Sequence, residues 1–218
     1  MAEYPLETIS DLEIGSILLF SWITISGVTK VGITSSSTVE FNTATSRYFA
    51  RFVNKFRPTP VNVDASKQSI ERAKFEYLAA KDFKFMNYAL QSLVGSEKVL
   101  QTLWQPKIKK PIFTLRWHTF YRTSVLAHLA ILTDKELIVI QDDERSSENR
   151  GGVRYGGKWS YVALNHIKAV SLLEKQSDDL LTLSLTLSPG GRQLEIIFAA
   201  SQKQKIVQLQ DELEKLIG

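Results

Sequence analysis

The chain has 218 residues, enough for one large domain or two small ones, and a chain of this size can bury a core of its own. It contains no cysteine, which excludes a disulfide scaffold, a thiolate zinc site, an iron–sulfur cluster and a cysteine nucleophile. The hydrophobic fraction of 44% is that of an ordinary globular protein, and the net charge of +4 is too mild to indicate nucleic-acid binding, so no nucleic-acid partner is expected.

The first 96 residues are expected to form an N-terminal α/β segment that opens with a short β-meander. Alternating side chains from Leu19 to Ile25 predict a strand that ends at Gly27. Further strands are expected at 28–34 and 38–41, with the three intervening serines as a turn.

The longest apolar run, Ile17–Ile23, is far shorter than the roughly 20 residues that a helix needs to span a bilayer. It is preceded by Glu3 and Glu7 and by no basic residue, so a signal peptide is not expected. On this basis the sequence predicts a cytoplasmic protein.

Helical spacing of apolar residues predicts a helix over 45–57 and a longer helical stretch over 65–93. Asp64 or Ser66 is the expected N-cap of the longer stretch. Its apolar face shifts near Asp82, which indicates a kink or two separate helices.

From Glu97 onward the pattern changes to short strands at regular spacing, followed by one helix over 201–217. Asp134 and Lys135 are expected to form a tight turn, and Ser201 with Gln204 a capping box at the start of the helix. An apolar stripe on that helix predicts packing on a single surface, as in a partly open barrel covered by a helix. The predicted strands are 97–105, 112–118, 126–133, 136–142, 158–164, 167–174, 180–188 and 192–199.

The segment Ala130–Ile140 resembles the Leu-Thr-Asp/Asn-x-x-Leu hairpin of the pleckstrin-homology (PH) superfold, in its bacterial PH and GRAM-like branch. Tyr161–Ile167 resembles the step before the last strands of that family, and the helix after Phe198 is similar to its closing helix. The resemblance covers residues 97–218 and implies an α+β protein. We expect a PH-like antiparallel β-barrel that is capped by the C-terminal helix and preceded by the smaller 1–96 segment of β-meander and helices.

This family resemblance implies binding or assembly rather than chemistry, because family members hold phosphoinositides, peptides or protein surfaces. We therefore expect a non-enzymatic binding or scaffold module with a protein partner, and neither metal nor cofactor. His118, His128 and His166 match no metal-binding spacing, and no catalytic motif is recognisable. An uncharacterised enzyme remains a further alternative, and the sequence leaves the oligomeric state open.

Residues 99–132 include no acidic side chain, and the basic residues among them form the candidate anion-binding or acidic-partner patch. Lys107, Lys109 and Lys110 fall where the first two strands of the PH-like domain would be connected, and Arg116 falls on the next strand. Phosphoinositide-binding PH domains place basic residues in that connection, which makes an anionic membrane surface the alternative partner. The simpler interpretation is a solvated loop whose lysines prevent pairing between sheet edges.

Overall fold

The computed structural model describes residues 2–57, 64–145, 155–175 and 179–218. Within these ranges the chain is a mixed α+β protein with antiparallel sheets and a C-terminal helix, which confirms this part of the predicted fold class. The strands are β1 Ile9–Ile17, β2 Phe20–Val28, β3 Thr34–Asn42, β4 Val99–Gln105, β5 Ile108–Leu115, β6 His118–Val125, β7 His128–Thr133, β8 Glu136–Gln141, β9 Gly157–Ala163, β10 Ile167–Lys175, β11 Leu180–Leu187 and β12 Gln193–Ala199. The α-helices are α1 Ala50–Phe56, α2 Ala65–Ala73, α3 Phe83–Ser92 and α4 Lys203–Ile217.

The described strands pair into three separate sheets. Seven strands form one sheet in the order β3-β2-β1-β9-β8-β7-β4, while β10-β11-β12 form a second and β5-β6 a third. Because β1 pairs with β9 from Leu12 opposite Tyr161 to Ser16 opposite Gly157, the large sheet continues across residue 96. Whether residues 1–96 and 97–218 fold independently stays a prediction.

The seven-stranded sheet is covered on both faces around β7 and β8, which are accordingly buried almost throughout. Alternate residues of a strand point to opposite faces. Leu129 and Ile131 therefore pack with α3 and the turn before it, whereas Ala130 and Leu132 pack with β10–β12 and α4. The result is a three-layered molecule with one apolar core on each side of the large sheet.

Two aspartates begin helices α2 and α3. The Asp64 carboxylate accepts hydrogen bonds from the backbone N–H groups of Ser66 and Lys67, and Asp82 caps α3 in the same way. The expected N-cap at Asp64 is confirmed, as is the break near Asp82, since the predicted 65–93 stretch divides into α2, a 3₁₀ turn at Glu76–Leu78 and α3. Among the described helices, none is both long and apolar enough to cross a membrane.

The closing helix α4 lies against the second sheet, with Ile206, Leu209 and Leu213 buried. The predicted apolar stripe is therefore confirmed. The predicted capping box is wrong: α4 begins at Lys203 after a 3₁₀ turn, and no side chain caps its first N–H groups.

The sequence patterns missed two strands, β1 and β6, and predicted a strand at 28–34 where the chain turns between β2 and β3. In β1 the alternation of apolar residues is broken by Ser10 and Asp11, which are nevertheless buried. Arg192, in the turn before β12, donates to the Asp11 carboxylate and, over 2.6 Å, to the Ser26 hydroxyl. A charge from the far end of the chain thus compensates the buried carboxylate of β1.

Candidate functional site

The candidate site is a β-hairpin that projects from one end of the large sheet. Strands β4 and β7 pair within that sheet, and β5 and β6 continue them beyond its end as a separate two-stranded ribbon. The ribbon runs from Ile108 opposite Val125 to Leu115 opposite His118. Eight residues at about 3.3 Å each give it a reach of about 25 Å. A two-stranded ribbon of this kind is only marginally stable alone in water.

The outer half of the ribbon, which we call the apolar tip, exposes large apolar side chains to solvent. Phe113 and Phe120 stack across the strands with their ring centroids 4.5 Å apart, yet each ring stays about half exposed. Trp117, in the turn, is 92% exposed, the highest value among the exposed large hydrophobic side chains of the described chain. Contiguous apolar surface of this kind marks interaction sites on soluble proteins. Trp117 therefore lies outside both apolar cores.

The four predicted site residues lie in two places on the ribbon. Lys107, Lys109 and Lys110 lie together at its base, where Lys109 and Lys110 belong to β5 rather than to a loop between strands. Arg116 occupies the turn at the tip with a φ of +53°, not the following strand as expected. Arg116 follows Lys110 by six positions, which is about 20 Å along the ribbon.

The structure adds Arg122 to the basal cluster, because it lies directly opposite Lys110 in the ladder. Like charges at facing positions of a sheet are unfavourable unless an anion or a solvent-exposed geometry relieves them. The sequence stretch without acidic residues already contained this arginine, but only the register places it beside the lysines. We refer to Lys107, Lys109, Lys110 and Arg122 as the cationic base.

A second exposed apolar feature lies at the same end of the large sheet. Leu18 and Leu19, in the turn between β1 and β2, are 72% and 71% exposed. The paired residues that border this end run across the sheet from β1 to β4, so the turn and the ribbon project from the same side. These border pairs are Ser16 with Gly157, Lys158 with Gln141, Gln141 with His128, and His128 with Gln105.

A buried charge cluster lies at the opposite end of the central strands. The Arg57 Nε is 3.0 Å from both carboxylate oxygens of Glu136, and its guanidinium stacks 3.6 Å above the Tyr161 ring. Glu97, also buried, has an oxygen 3.7 Å from Arg57 and accepts a hydrogen bond from the backbone N–H of Val94. The cluster fastens the end of α1 to the turn between β7 and β8.

Burial and the neighbouring Glu136 carboxylate raise the pKa of Glu97 to about 8. Burial also raises the pKa of Tyr161, to about 12. At neutral pH Glu97 is therefore largely protonated. A neutral acid next to an ion pair can hold a fold together without any reaction.

Comparison with known proteins assigns the chain to no family. Neither the scan against protein-family models nor the search of the curated proteins finds a match. The function must therefore be argued from the residues of the chain itself.

Proposed function

We propose that the protein is a non-enzymatic binding module, built on a PH-like domain, that docks on anionic membrane surfaces through the β5–β6 ribbon. The observation that carries the proposal is the apolar tip, with Trp117 92% exposed, above a cationic base on the same ribbon. Tryptophan and basic side chains are the residues that favour the interface between hydrocarbon and headgroups.

The order of elements supports the PH-like part of the proposal. Strands β4, β7, β8 and β9 are consecutive in the large sheet, β10–β12 form the facing sheet, and α4 closes the core between them. In this arrangement the β5–β6 ribbon is the connection between the first two strands. A fold of this type does not define the ligand, so the ligand is inferred from the ribbon.

The ribbon supplies two kinds of membrane attraction. When the ribbon lies along an anionic surface, its base and its tip both reach the headgroups, where each lysine or arginine contributes about 1 kcal/mol. Inserting about 100 Å² of apolar surface from the tip adds about 2.5 kcal/mol at 25 cal/mol per Å². Stable membrane attachment generally needs two such signals together, and the ribbon carries both.

The sequence patterns favoured a protein partner for this module, and the exposed tip shifts the preference to a membrane. A membrane accepts an apolar tip of any shape, and its anionic headgroups complement a ribbon without acidic residues. A protein partner for the same ribbon would have to supply both a pocket for Trp117 and an acidic rim.

Co-sedimentation of the full chain with vesicles tests the proposal. The vesicles contain phosphatidylcholine alone or with 30% phosphatidylserine, at low and physiological salt. We expect binding to the anionic vesicles only, weakened by salt. Lys109→Glu and Leu115→Ser should each weaken binding at least fivefold.

Matched substitutions on other surfaces serve as controls. Ile33 has the same exposed fraction as Leu115, 61%, and lies in the turn at the opposite end of the sheet. Lys168 is exposed on β10. Ile33→Ser and Lys168→Glu should leave vesicle binding unchanged. Absence of binding to anionic vesicles at low salt, or equal losses in ribbon and control variants, would refute the proposal and return the ribbon to a protein partner.

A further inference from the structure

A cavity of about 440 Å³ lies between the two larger sheets on the side where β12 forms an edge. Two backbone runs border it: Leu194–Ile197 of β12 and Thr123–Leu126 at the base of the ribbon. Side chains of the large sheet, among them His128 and Ser160, also line it. The volume is within the range of ligand pockets, and the border of two strands gives it the form of a slot.

The slot opens along an unpaired strand edge. Within the described chain β12 pairs only with β11. The Leu187 N–H donates to the Arg192 carbonyl over 2.7 Å, and alternation along an antiparallel ladder then directs the backbone groups of Glu195 and Ile197 away from β11. Ala199, next in this series, confirms the direction, since its N–H donates to the Gln105 side-chain oxygen over 2.8 Å.

Gln105 thus covers one end of the β12 edge. The backbone groups that border the cavity, at Glu195 and Ile197, face away from β11 toward a position that another strand could take. An unpaired edge of this kind is a template for strand addition, in which main-chain hydrogen bonds give affinity and side-chain pockets give specificity. The four residues Leu194–Ile197 offer about 13 Å of edge.

His128 gives the slot a hydrogen-bond acceptor. Its Nδ1 is 3.0 Å from the Leu126 carbonyl, which can only accept, so Nδ1 carries the proton and Nε2 has a free lone pair. The side chain is 3% exposed, and within the described chain Nε2 has no hydrogen-bond partner. Buried polar atoms are normally paired, so this nitrogen favours an occupant that donates a hydrogen bond.

The charges around the slot indicate the sign of the occupant. The two cations that line it already face carboxylates: Lys158 lies 3.4 Å from Glu13, and Arg192 pairs with Asp11. Glu195 is exposed on β12 and has no ion pair among the described residues. The slot therefore complements a basic segment more than an acidic one.

We propose that this slot binds an extended, basic peptide segment of a partner protein, which adds as a fourth strand to the free edge of β12 and turns a hydrogen-bond donor toward His128. This interaction goes beyond the membrane docking, because the edge of β12 carries it and not the apolar tip. A chain with both would act as an adapter that holds a protein partner at a membrane.

Selection from a phage-displayed library of random heptapeptides, with the immobilised full chain as the bait, tests the slot directly. We expect enrichment of sequences with lysine or arginine among β-forming residues such as threonine and valine. The most enriched peptide, synthesised with a fluorescent label, should bind with a Kd that rises at least tenfold in Glu195→Lys and in Ile197→Pro, which lacks the edge N–H.

Glu214→Lys, at an exposed position on α4, is the matched charge control and should leave the affinity unchanged. Binding of the peptide should slow amide hydrogen exchange at Glu195 and Ile197. If Ile197→Pro fails to fold, Glu195→Lys and the exchange data still decide. Lack of enrichment, affinity that survives Glu195→Lys, or exchange protection located elsewhere would each overturn the proposal, and none of these results bears on vesicle binding.

Discussion

Replacing Glu97 by glutamine tests the buried cluster of Arg57, Glu136 and Glu97. Glutamine has the shape of the protonated acid, can still accept from the Val94 N–H, and can donate to Glu136 as the protonated carboxyl does. It differs in having no proton to release. The substitution therefore removes the pH dependence of this residue and leaves the packing in place.

The size of the effect follows from the pKa of Glu97, which rises from 4.5 to about 8 on folding. Between these values the folded state keeps a proton that the unfolded state has released, so the free energy of unfolding falls as the pH rises. One proton corresponds to 1.36 kcal/mol per pH unit, or about 5 kcal/mol over the whole interval as an upper limit. Because the slope is smaller near the two ends of the interval, we expect an average of about 1 kcal/mol per pH unit.

Urea unfolding, followed by tryptophan fluorescence at pH 5, 6, 7 and 8, measures the difference between Glu97→Gln and the unmodified chain. The two should be nearly equal at pH 5, and the variant should be more stable by a few kcal/mol at pH 8. Glu76→Gln, an exposed substitution, is the control and should give a flat difference. A flat difference for Glu97→Gln as well would mean that Glu97 is ionised in the folded protein, and the account of the cluster would be wrong.

Two further predictions concern the core. Burial lowers the pKa of His128 to about 4, below its ordinary 6.5. The folded chain should therefore lose stability as the pH falls from 6.5 to 4. In urea titrations between pH 4 and 7, His128→Gln should reduce that loss by about 1 kcal/mol per pH unit. Leu209→Ala, at a position 1% exposed, should lower the free energy of unfolding by about 2–5 kcal/mol, whereas Leu216→Ala, 38% exposed, should change it by less than about 1 kcal/mol; equal losses would contradict the observed orientation of α4.

Features set by nearby residues were predictable from the sequence. Asp64 and Asp82 cap helices through N–H groups two or three residues away, so their role is visible in the local pattern. The stripe on α4 is visible for the same reason. By contrast, β1 was missed because Asp11 interrupts its apolar pattern, and the Arg192 that compensates it lies 181 residues later in the chain.

The candidate site was predictable in part. The lysines were found because a long stretch without acidic residues is conspicuous in the sequence. The apolar tip was not, since Phe113, Trp117 and Phe120 have the composition of a core strand. Only the topology shows that, among the described strands, β5 and β6 pair with each other alone and leave these side chains exposed. Lys110 and Arg122 likewise lie opposite each other because of the strand register, and the order of residue types along the sequence does not reveal that register.

The pairing of β1 with β9 bears on how this molecule can be shortened. A gene fragment that starts at Glu97 would encode strands β4 and β7–β9 of the large sheet without β1, the strand that pairs with the outer edge of β9. It would also lack α3, which covers Leu129 and Ile131. Such a fragment would expose the unpaired backbone edge of β9 beside an uncovered apolar face. This combination leads to domain-swapped dimers and insoluble aggregates during expression. Residues before Glu97 thus cover surfaces of the later strands that the shortened chain would expose.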